Sequence, residues 1–274
     1  MNGTGPCVYV ESVVIGASLG YQTTVFNVVV AAIVVCAVLF LFGSLFWLAR
    51  WPFFTAYLGL TLFAAAALLL TLAQKLLPVV TGASSRTWVD FSFALFALVI
   101  ALQWAVQSAV TMLLLTDRPN TAAVRWTAFL VFCFVVALLV PWVAGAATGH
   151  AFAGQLLAEA LLAAFFACTL LLCSSRVRAC VPLAQRLAPR PVAAAWSGYM
   201  LAVHCGFLAA SAVRGALPGA EAGACAYLVV DFIYYLLYAP VLALTLYRDS
   251  RGWGGEEMLL SPQRESADGL DKLF

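Results

Sequence analysis

Ionisable side chains interrupt several long apolar stretches of this chain. Asp90, Glu159, His204 and Asp231 each fall inside such a stretch. An ionisable group within a membrane is costly and usually faces a partner or a polar cavity, so each is a candidate site for a ligand, an ion or a proton. Asp90 lies near the end of its stretch, where its carboxylate can reach water. These residue types predict a polar cavity among apolar segments.

Two neutral polar residues accompany this group. Gln103 and Gln107 are four residues apart and therefore share one face of a helix. They can line the same cavity, or they can form hydrogen bonds between helices that stabilise a bundle by about 0.6 kcal/mol each. Both interpretations stay open at this point.

Several chemistries are excluded by what is missing. The chain has only two histidines, His150 and His204, whereas metal-dependent seven-span hydrolases need three with acidic partners. The last apolar stretch, 225–247, has no lysine for a retinal Schiff base. No phosphate-binding glycine loop, paired-cysteine metal site or basic run appears. We therefore expect no enzymatic activity, cofactor or metal, and no nucleic-acid partner.

The elements that must position these residues are membrane-spanning helices. The chain is 65% hydrophobic and 9% charged, against about 45–50% and about 25% in soluble domains. A spanning helix needs about 20 apolar residues, and helices satisfy their backbone hydrogen bonds within the segment. Seven stretches are long enough, and they predict an all-α, polytopic seven-transmembrane helix bundle: 24–48, 53–77, 88–115, 122–146, 151–173, 192–213 and 225–247.

Lysine and arginine predict the orientation of the bundle. With the N-terminus outside, the cytosolic side carries eleven of them and the outer side carries only Lys75, Arg86 and Arg214. This excess is the positive-inside pattern. It predicts an outer N-terminal segment over 1–23, a bundle over 24–247 and a cytosolic tail over 248–274, whose polar composition favours disorder.

Cysteines and one asparagine suggest modifications. Cys7 and Cys225 belong to the predicted outer side, where they can oxidise to a disulfide or remain two thiols. Asn2 begins a glycosylation triplet on that side. Cys173 and Cys180 fall at the cytosolic edge and are candidates for palmitoylation. The cysteines within spans are expected to be small buried hydrophobes: Cys36, Cys133, Cys168 and Cys205.

Short motifs along the chain add a family resemblance. Trp88-Val89-Asp90 opens the third span, and the seventh span combines Cys225 and Asp231 with an aromatic-rich run over 232–240. Further matching stretches are 15–18, 187–199, 246–248 and 254–260. In these features the chain resembles the adipocyte-associated transmembrane proteins, a seven-span family with animal and plant members and candidate G-protein-coupled receptors. The resemblance implies a regulatory rather than an enzymatic protein.

Together these observations lead to a functional hypothesis. We expect an orphan receptor-like protein of the plasma membrane or an endomembrane, with a small unknown ligand in an outward-facing cavity. A cytosolic signalling partner would bind loop 174–191 and the tail, where four arginines of the loop can also contact anionic lipid. The first alternative is a small ion- or proton-coupled transporter or channel, and the second is a membrane scaffold that acts through partners.

The predicted disulfide can be tested directly. If Cys7 and Cys225 share the outer side, the oxidising secretory pathway joins them. Peptide mapping of unreduced protein should therefore recover the two cysteines in one linked fragment, which separates on reduction. Two unlinked thiols in protein that has reached the cell surface would contradict the prediction.

Overall fold

A computed structural model describes residues 14–15, 23–48, 54–76, 86–115, 121–148, 151–174, 177, 180, 191–216 and 221–270. Within this part of the chain, seven helices are long and apolar enough to cross a membrane. Their bounds are α1 Val25–Leu48, α2 Phe54–Leu76, α3 Arg86–Leu115, α4 Thr121–Ala147, α5 Ala151–Leu172, α6 Pro191–Ala216 and α7 Glu221–Leu270. The all-helical bundle with seven apolar helices is therefore confirmed.

A short strand pair precedes the bundle. Strand β1, Val14–Ile15, pairs antiparallel with β2, Thr23–Thr24, with Val14 opposite Thr24. Because β2 leads directly into α1, this pairing ties residues 14–15 to the end of the bundle at which α1 begins.

The helices pack in chain order and close on themselves. Each helix contacts the next one along the chain, and α7 also packs against α1. Helix α3 lies deepest, with 56% of its apolar span buried, and it reaches across the bundle to α6. Helix α4 lies at the periphery, since only 22% of its span is buried. The side chains of α3 and α6 consequently face each other in the interior.

The surface of the bundle is apolar and its interior contains polar groups. Leu39, Phe46, Phe63, Trp126 and Phe132 are all exposed, whereas Gln107, Glu159, His204 and Asp231 are buried. A soluble protein would expose its charged groups and bury its large apolar ones. The arrangement suggests an integral multi-pass membrane protein, because a bilayer accepts apolar side chains on the outside.

The expectation of buried cysteines in the spans was wrong. Cys36, Cys133, Cys168 and Cys205 are all exposed on the outside of the bundle. A cysteine side chain behaves as a small hydrophobe. The outer face of a membrane bundle gives it apolar surroundings, as the core does, and both positions are equally favourable.

The helix bounds agree with the sequence pattern except in α7, which begins at Glu221 rather than at 225. The first six helices begin and end within three residues of the predicted spans. Helix α7, in contrast, continues to Leu270 through the segment 248–270, which composition predicted to be disordered. Adding a residue to an existing helix needs no new nucleus, so the end of the seventh span propagates helix into a polar sequence.

Glycine permits a close contact between α4 and α5. An added Cβ at Gly154 of α5 would lie 2.5 Å from the Pro141 carbonyl oxygen and 3.1 Å from the Trp142 Cα of α4. Small residues at helix contacts let backbones approach in a membrane, where dispersion contacts are a main source of association. The approach of α4 to α5 therefore depends on the missing side chain at position 154.

Substituting this glycine should destabilise the bundle. Gly154→Ala forces the backbone of α4 away, at a cost of about 1–3 kcal/mol typical of overpacking. We expect a lower unfolding temperature for the purified protein in detergent. Gly59→Ala is the matched control, because no atom lies within 4 Å of its added Cβ and alanine favours the helix. Equal stability of the two variants would show that the α4–α5 approach does not matter.

Candidate functional site

Polar side chains from several helices face one cavity of about 100 Å³. It lies in the half of the bundle where α3, α5 and α7 begin, which the charge pattern predicts to face outward. Helices α2 to α7 all contribute to its wall. The lining residues are Gln74, Lys75, Phe96, Val99, Ile100, Gln103, Trp104, Gln107, Trp142, Gln155, Glu159, His204, Phe207, Tyr227, Asp231, Tyr234 and Tyr235.

A chain of hydrogen bonds crosses four helices along one wall. His204 Nδ1 on α6 lies 2.7 Å from Glu159 Oε2 on α5. His204 Nε2 lies 2.9 Å from Gln107 Oε1 on α3. Gln107 Nε2 then donates to the Tyr234 hydroxyl on α7 at 3.1 Å. This wall, Glu159–His204–Gln107–Tyr234, is called the polar chain below, and it couples α5, α6, α3 and α7.

The imidazole at the centre of the polar chain is held in place. His204 is only 3% exposed. Its ring stacks on Phe166 of α5, with centroids 5.3 Å apart and an angle of 5° between the planes. Hydrogen bonds at both ring nitrogens and an aromatic ring on one face leave the imidazole little freedom to rotate.

The orientation of the Gln107 amide sets the direction of the hydrogen bonds in the polar chain. With Gln107 Oε1 facing the imidazole, His204 Nε2 donates to it. At the other nitrogen, either Nδ1 donates to an ionised Glu159 or a protonated Glu159 donates to Nδ1. In both cases Glu159 and His204 together hold one proton more than an ionised carboxylate with a neutral imidazole, so the net charge of the two side chains is zero.

An ion pair forms another part of the lining. The Lys75 Nζ of α2 lies 3.4 Å from Asp231 Oδ2 of α7. The same ammonium is 5.9 Å from the centroid of the Tyr235 ring, within the range of a cation–π contact. Pairing makes the burial of Asp231 possible, since an isolated carboxylate in an apolar interior would be far more costly.

Gln103 connects the ion-pair wall to its neighbours. Its Nε2 donates to Thr71 Oγ1 on α2 at 3.1 Å and to the Tyr235 hydroxyl on α7 at 3.3 Å. Gln103 and Gln107 thus line the cavity and also form hydrogen bonds between helices. The two interpretations left open by the sequence hold at the same time.

The structure brings together most of the predicted cavity residues. Glu159, His204, Asp231, Gln103 and Gln107 all line the same cavity. Asp90 is a residue of α3, but its side chain lies outside the described part.

The predicted modification sites are only partly described. Cys225 lies in the first turns of α7, whereas Cys7 and Asn2 fall outside the described residues, so the disulfide and the glycosylation stay predictions. Cys173 is half-buried at the end of α5, and Cys180 is exposed.

Sequence reasoning missed the partner of Asp231 and the aromatic wall. Lys75 was counted only as a charge of the predicted outer side, although its position one residue before the end of α2 places it beside the seventh helix. Tyr234 and Tyr235 were noted only as part of an aromatic run. An adjacent pair of tyrosines one turn after an intramembrane carboxylate was the signal that could have identified them.

The opposite half of the bundle is packed differently. Trp196 of α6, Tyr238 and Leu242 of α7 and Leu114 of α3 are almost completely buried there. Near the far end, Tyr57 of α2 donates to Asp249 Oδ2 of α7 at 2.6 Å, and both side chains are buried. The residues lining the cavity therefore come from one half, and large side chains fill the other.

The described residues contain no group of three or more histidine, cysteine, aspartate or glutamate side chains placed to hold a metal ion. The fold is a helical bundle with a polar cavity, and its seven apolar helices suggest an integral multi-pass membrane protein. No protein-family model, curated protein or solved structure matches the chain.

The coupling within the polar chain can be measured with a double-mutant cycle. Gln107→Leu and Tyr234→Phe each remove the hydrogen bond between α3 and α7, so their effects on unfolding free energy should not add. We expect a coupling energy of about 0.6–1.7 kcal/mol, as for other hydrogen bonds within membranes.

Gln107→Leu combined with Tyr57→Phe is the control cycle. Tyr57 contacts Asp249 at the other end of the bundle, so this pair should be additive within about 0.5 kcal/mol. Additivity in both cycles would show that the bond from Gln107 to Tyr234 contributes nothing to stability.

Proposed function

We propose that this protein is a receptor-like, seven-span membrane protein that binds a small polar ligand in the cavity. One observation carries the proposal. Glu159, His204 and Gln107 of the polar chain, and Lys75 and Asp231 of the ion pair, all line the same cavity although they come from five helices. Ionisable groups within a membrane are rare and mark functional sites, and here two sets of them face one volume.

The connections of the cavity suggest how binding would be transmitted. A ligand that replaces one partner of the polar chain changes the contact of α3 with α7 through Gln107 and Tyr234. The Tyr234 ring packs against Tyr238, with centroids 5.2 Å apart, and Tyr238 packs against Trp196. Trp196 Nε1 in turn donates to Thr111 Oγ1 at 3.0 Å. The cavity is thereby linked to the packed half of the bundle, which leads to the predicted cytosolic ends.

The proposed orientation places the cavity toward the outside. The N-terminus would be extracellular or lumenal, with Asn2 available for glycosylation and Cys7 bonded to Cys225. Loop 174–191 and the helical extension of α7 would be cytosolic and would contact the signalling partner. The protein would act in the plasma membrane or an endomembrane by regulation rather than catalysis, as its resemblance to the adipocyte-associated transmembrane proteins implies.

A proton- or ion-coupled transporter is the second candidate. The observation that favours it is the polar chain, because buried acid–histidine pairs serve as proton relays in pumps and transporters. The packed side chains of Trp196, Tyr238 and Leu242 oppose it, since they fill the other half of the bundle and a transporter would have to open that half in turn. The cavity does not support the third candidate, a scaffold that acts only through partners, because such a protein would not need a ligand site.

A signalling assay on the intact protein tests the receptor proposal. Cells that carry the protein at their surface would be screened for G-protein coupling with small cations, anions and zwitterions. We expect at least one chemical class to elicit a response. Glu159→Gln and Asp231→Asn should raise the half-maximal concentration about tenfold or more, because each removes a charge-assisted contact of roughly 1.5–3 kcal/mol.

Asp249→Asn is the matched control, because it removes a buried carboxylate outside the cavity. Any effect of this variant should fall on the size of the response and leave the half-maximal concentration unchanged. Absence of coupling to every class, with normal surface expression, would count against the receptor. Flux into liposomes that Glu159→Gln and Asp231→Asn abolish would instead support the transporter, and flux equal to that of empty liposomes would remove it.

A further inference from the structure

The described lining residues carry more carboxylates than ammonium groups. Among them, Glu159 and Asp231 are the carboxylates, and Lys75 is the ammonium that pairs with Asp231. When Glu159 is ionised and His204 is neutral, these described groups sum to one net negative charge. They become neutral when the pair of Glu159 and His204 holds an extra proton. A cationic ligand can supply the same positive charge in place of the proton.

The polar chain can release this proton without losing a hydrogen bond. When His204 keeps a single N–H and donates it from Nδ1 to Glu159, its Nε2 becomes an acceptor. A rotation of the Gln107 amide by about 180° then lets Nε2 of Gln107 donate to His204, and its Oε1 accepts from the Tyr234 hydroxyl. The heavy-atom contacts at 2.7, 2.9 and 3.1 Å are the same in both arrangements. Only the direction of the hydrogen bonds reverses.

Aromatic rings indicate which cation would replace the proton. Seven of the lining residues are aromatic: Phe96, Trp104, Trp142, Phe207, Tyr227, Tyr234 and Tyr235. Aromatic faces attract organic ammonium ions, and the Lys75 ammonium already lies 5.9 Å from the Tyr235 ring centroid. Imidazole, thiolate and carboxylate groups are the usual protein ligands of transition metals, and the described residues form no group of three histidine, cysteine, aspartate or glutamate side chains that could hold one.

The volume accommodates a small ligand. A cavity of about 100 Å³ holds several water molecules, since one water needs about 10–15 Å³ of such a volume. An ammonium ion with a short alkyl group fits this space.

We infer that the cavity binds a small organic ammonium ion in exchange for the proton shared by Glu159 and His204. This inference rests on the proposed function, since it names the chemical class of the ligand. The ammonium balances the ionised Glu159, the proton leaves to solvent, and Gln107 rotates. Tyr234 of α7 changes from acceptor to donor, so the exchange itself alters the contact of α7 with α3.

The other ionisable groups around His204 are consistent with this exchange. Helix α5 presents Glu159, and none of the described lining residues of α3 and α4 is ionisable. On α6 itself, Tyr199 donates to the Tyr234 carbonyl at 3.4 Å. The remaining ionisable lining residues are Lys75 on α2 and Tyr227, Asp231, Tyr234 and Tyr235 on α7. Lys75 and Asp231 offset each other, and tyrosines are neutral at physiological pH.

Binding and proton release can be measured on the purified full chain with ethylammonium chloride. We expect a rise in unfolding temperature with a dissociation constant on the order of a millimolar, the range open to a ligand of three non-hydrogen atoms. A pH indicator in weak buffer should report about one proton released per ligand bound. Where the pair holds its proton, each unit of acidification should weaken binding about tenfold.

Matched ligands and variants isolate the charge and the site. Ethanol has the same number of non-hydrogen atoms without the charge, and sodium chloride supplies an inorganic cation at equal ionic strength. Neither should reproduce the effect of ethylammonium. Glu159→Gln should abolish both stabilisation and proton release. Asp249→Asn removes a buried carboxylate outside the cavity and should leave both unchanged.

Each alternative result overturns the inference in a different way. Equal stabilisation by sodium would indicate a site for alkali cations. Stabilisation by acetate or glycine but not by ethylammonium would leave the receptor proposal standing with a ligand of another class. No effect of ethylammonium on the unmodified chain would exclude the ammonium site even if Glu159→Gln fails to fold. The receptor proposal would then depend on the response to the other ligand classes.

Discussion

Neutralisation of buried charge is the constraint on which the interior of this bundle depends. Glu159 and Asp231 lie among apolar helices, where an unpaired carboxylate would be prohibitive. His204 lies 2.7 Å from Glu159, and Lys75 lies 3.4 Å from Asp231. Because these partners come from other helices, the pairs form only when α5 meets α6 and α2 meets α7. Because each buried charge needs its partner, the tertiary structure must bring these pairs of helices together.

Packing between the helices is adapted to these polar contacts. Helix α3 lies deepest and contributes Gln103 and Gln107, which extend the two charged pairs toward α7. Glycine at position 154 lets α5 approach the α4 backbone. Apolar side chains elsewhere on the helices point outward, where a bilayer would replace the water that a soluble protein meets. A bilayer as the surrounding solvent accounts for both the polar groups in the centre and the apolar groups on the outside.

The two halves of the bundle have different properties. One half contains a cavity whose ionisable groups are connected by hydrogen bonds across five helices. The other contains large, closely packed side chains and the buried bond from Tyr57 to Asp249. A change in charge within the cavity acts on bonds whose direction can reverse, and the tyrosines of α7 lie between those bonds and the packed half. This asymmetry is what favours a receptor-like protein over a pore.

Composition and periodicity by themselves determined the number of helices, the bounds of the first six and the residues worth inspecting. Long apolar runs have one economical structure in a membrane, and an ionisable residue within such a run stands out. Only the tertiary structure decided the partners. Lys75 and Asp231 are 156 residues apart in the chain, and Glu159 and His204 are 45 apart, so no local pattern relates them. The exposed Cys133 and the helical extension of α7 beyond Arg248 also differed from expectation, because each depends on surroundings that the local sequence does not contain. In a helix bundle, two side chains become partners when the helix faces that carry them meet. Which faces meet depends on the packing of all the helices together.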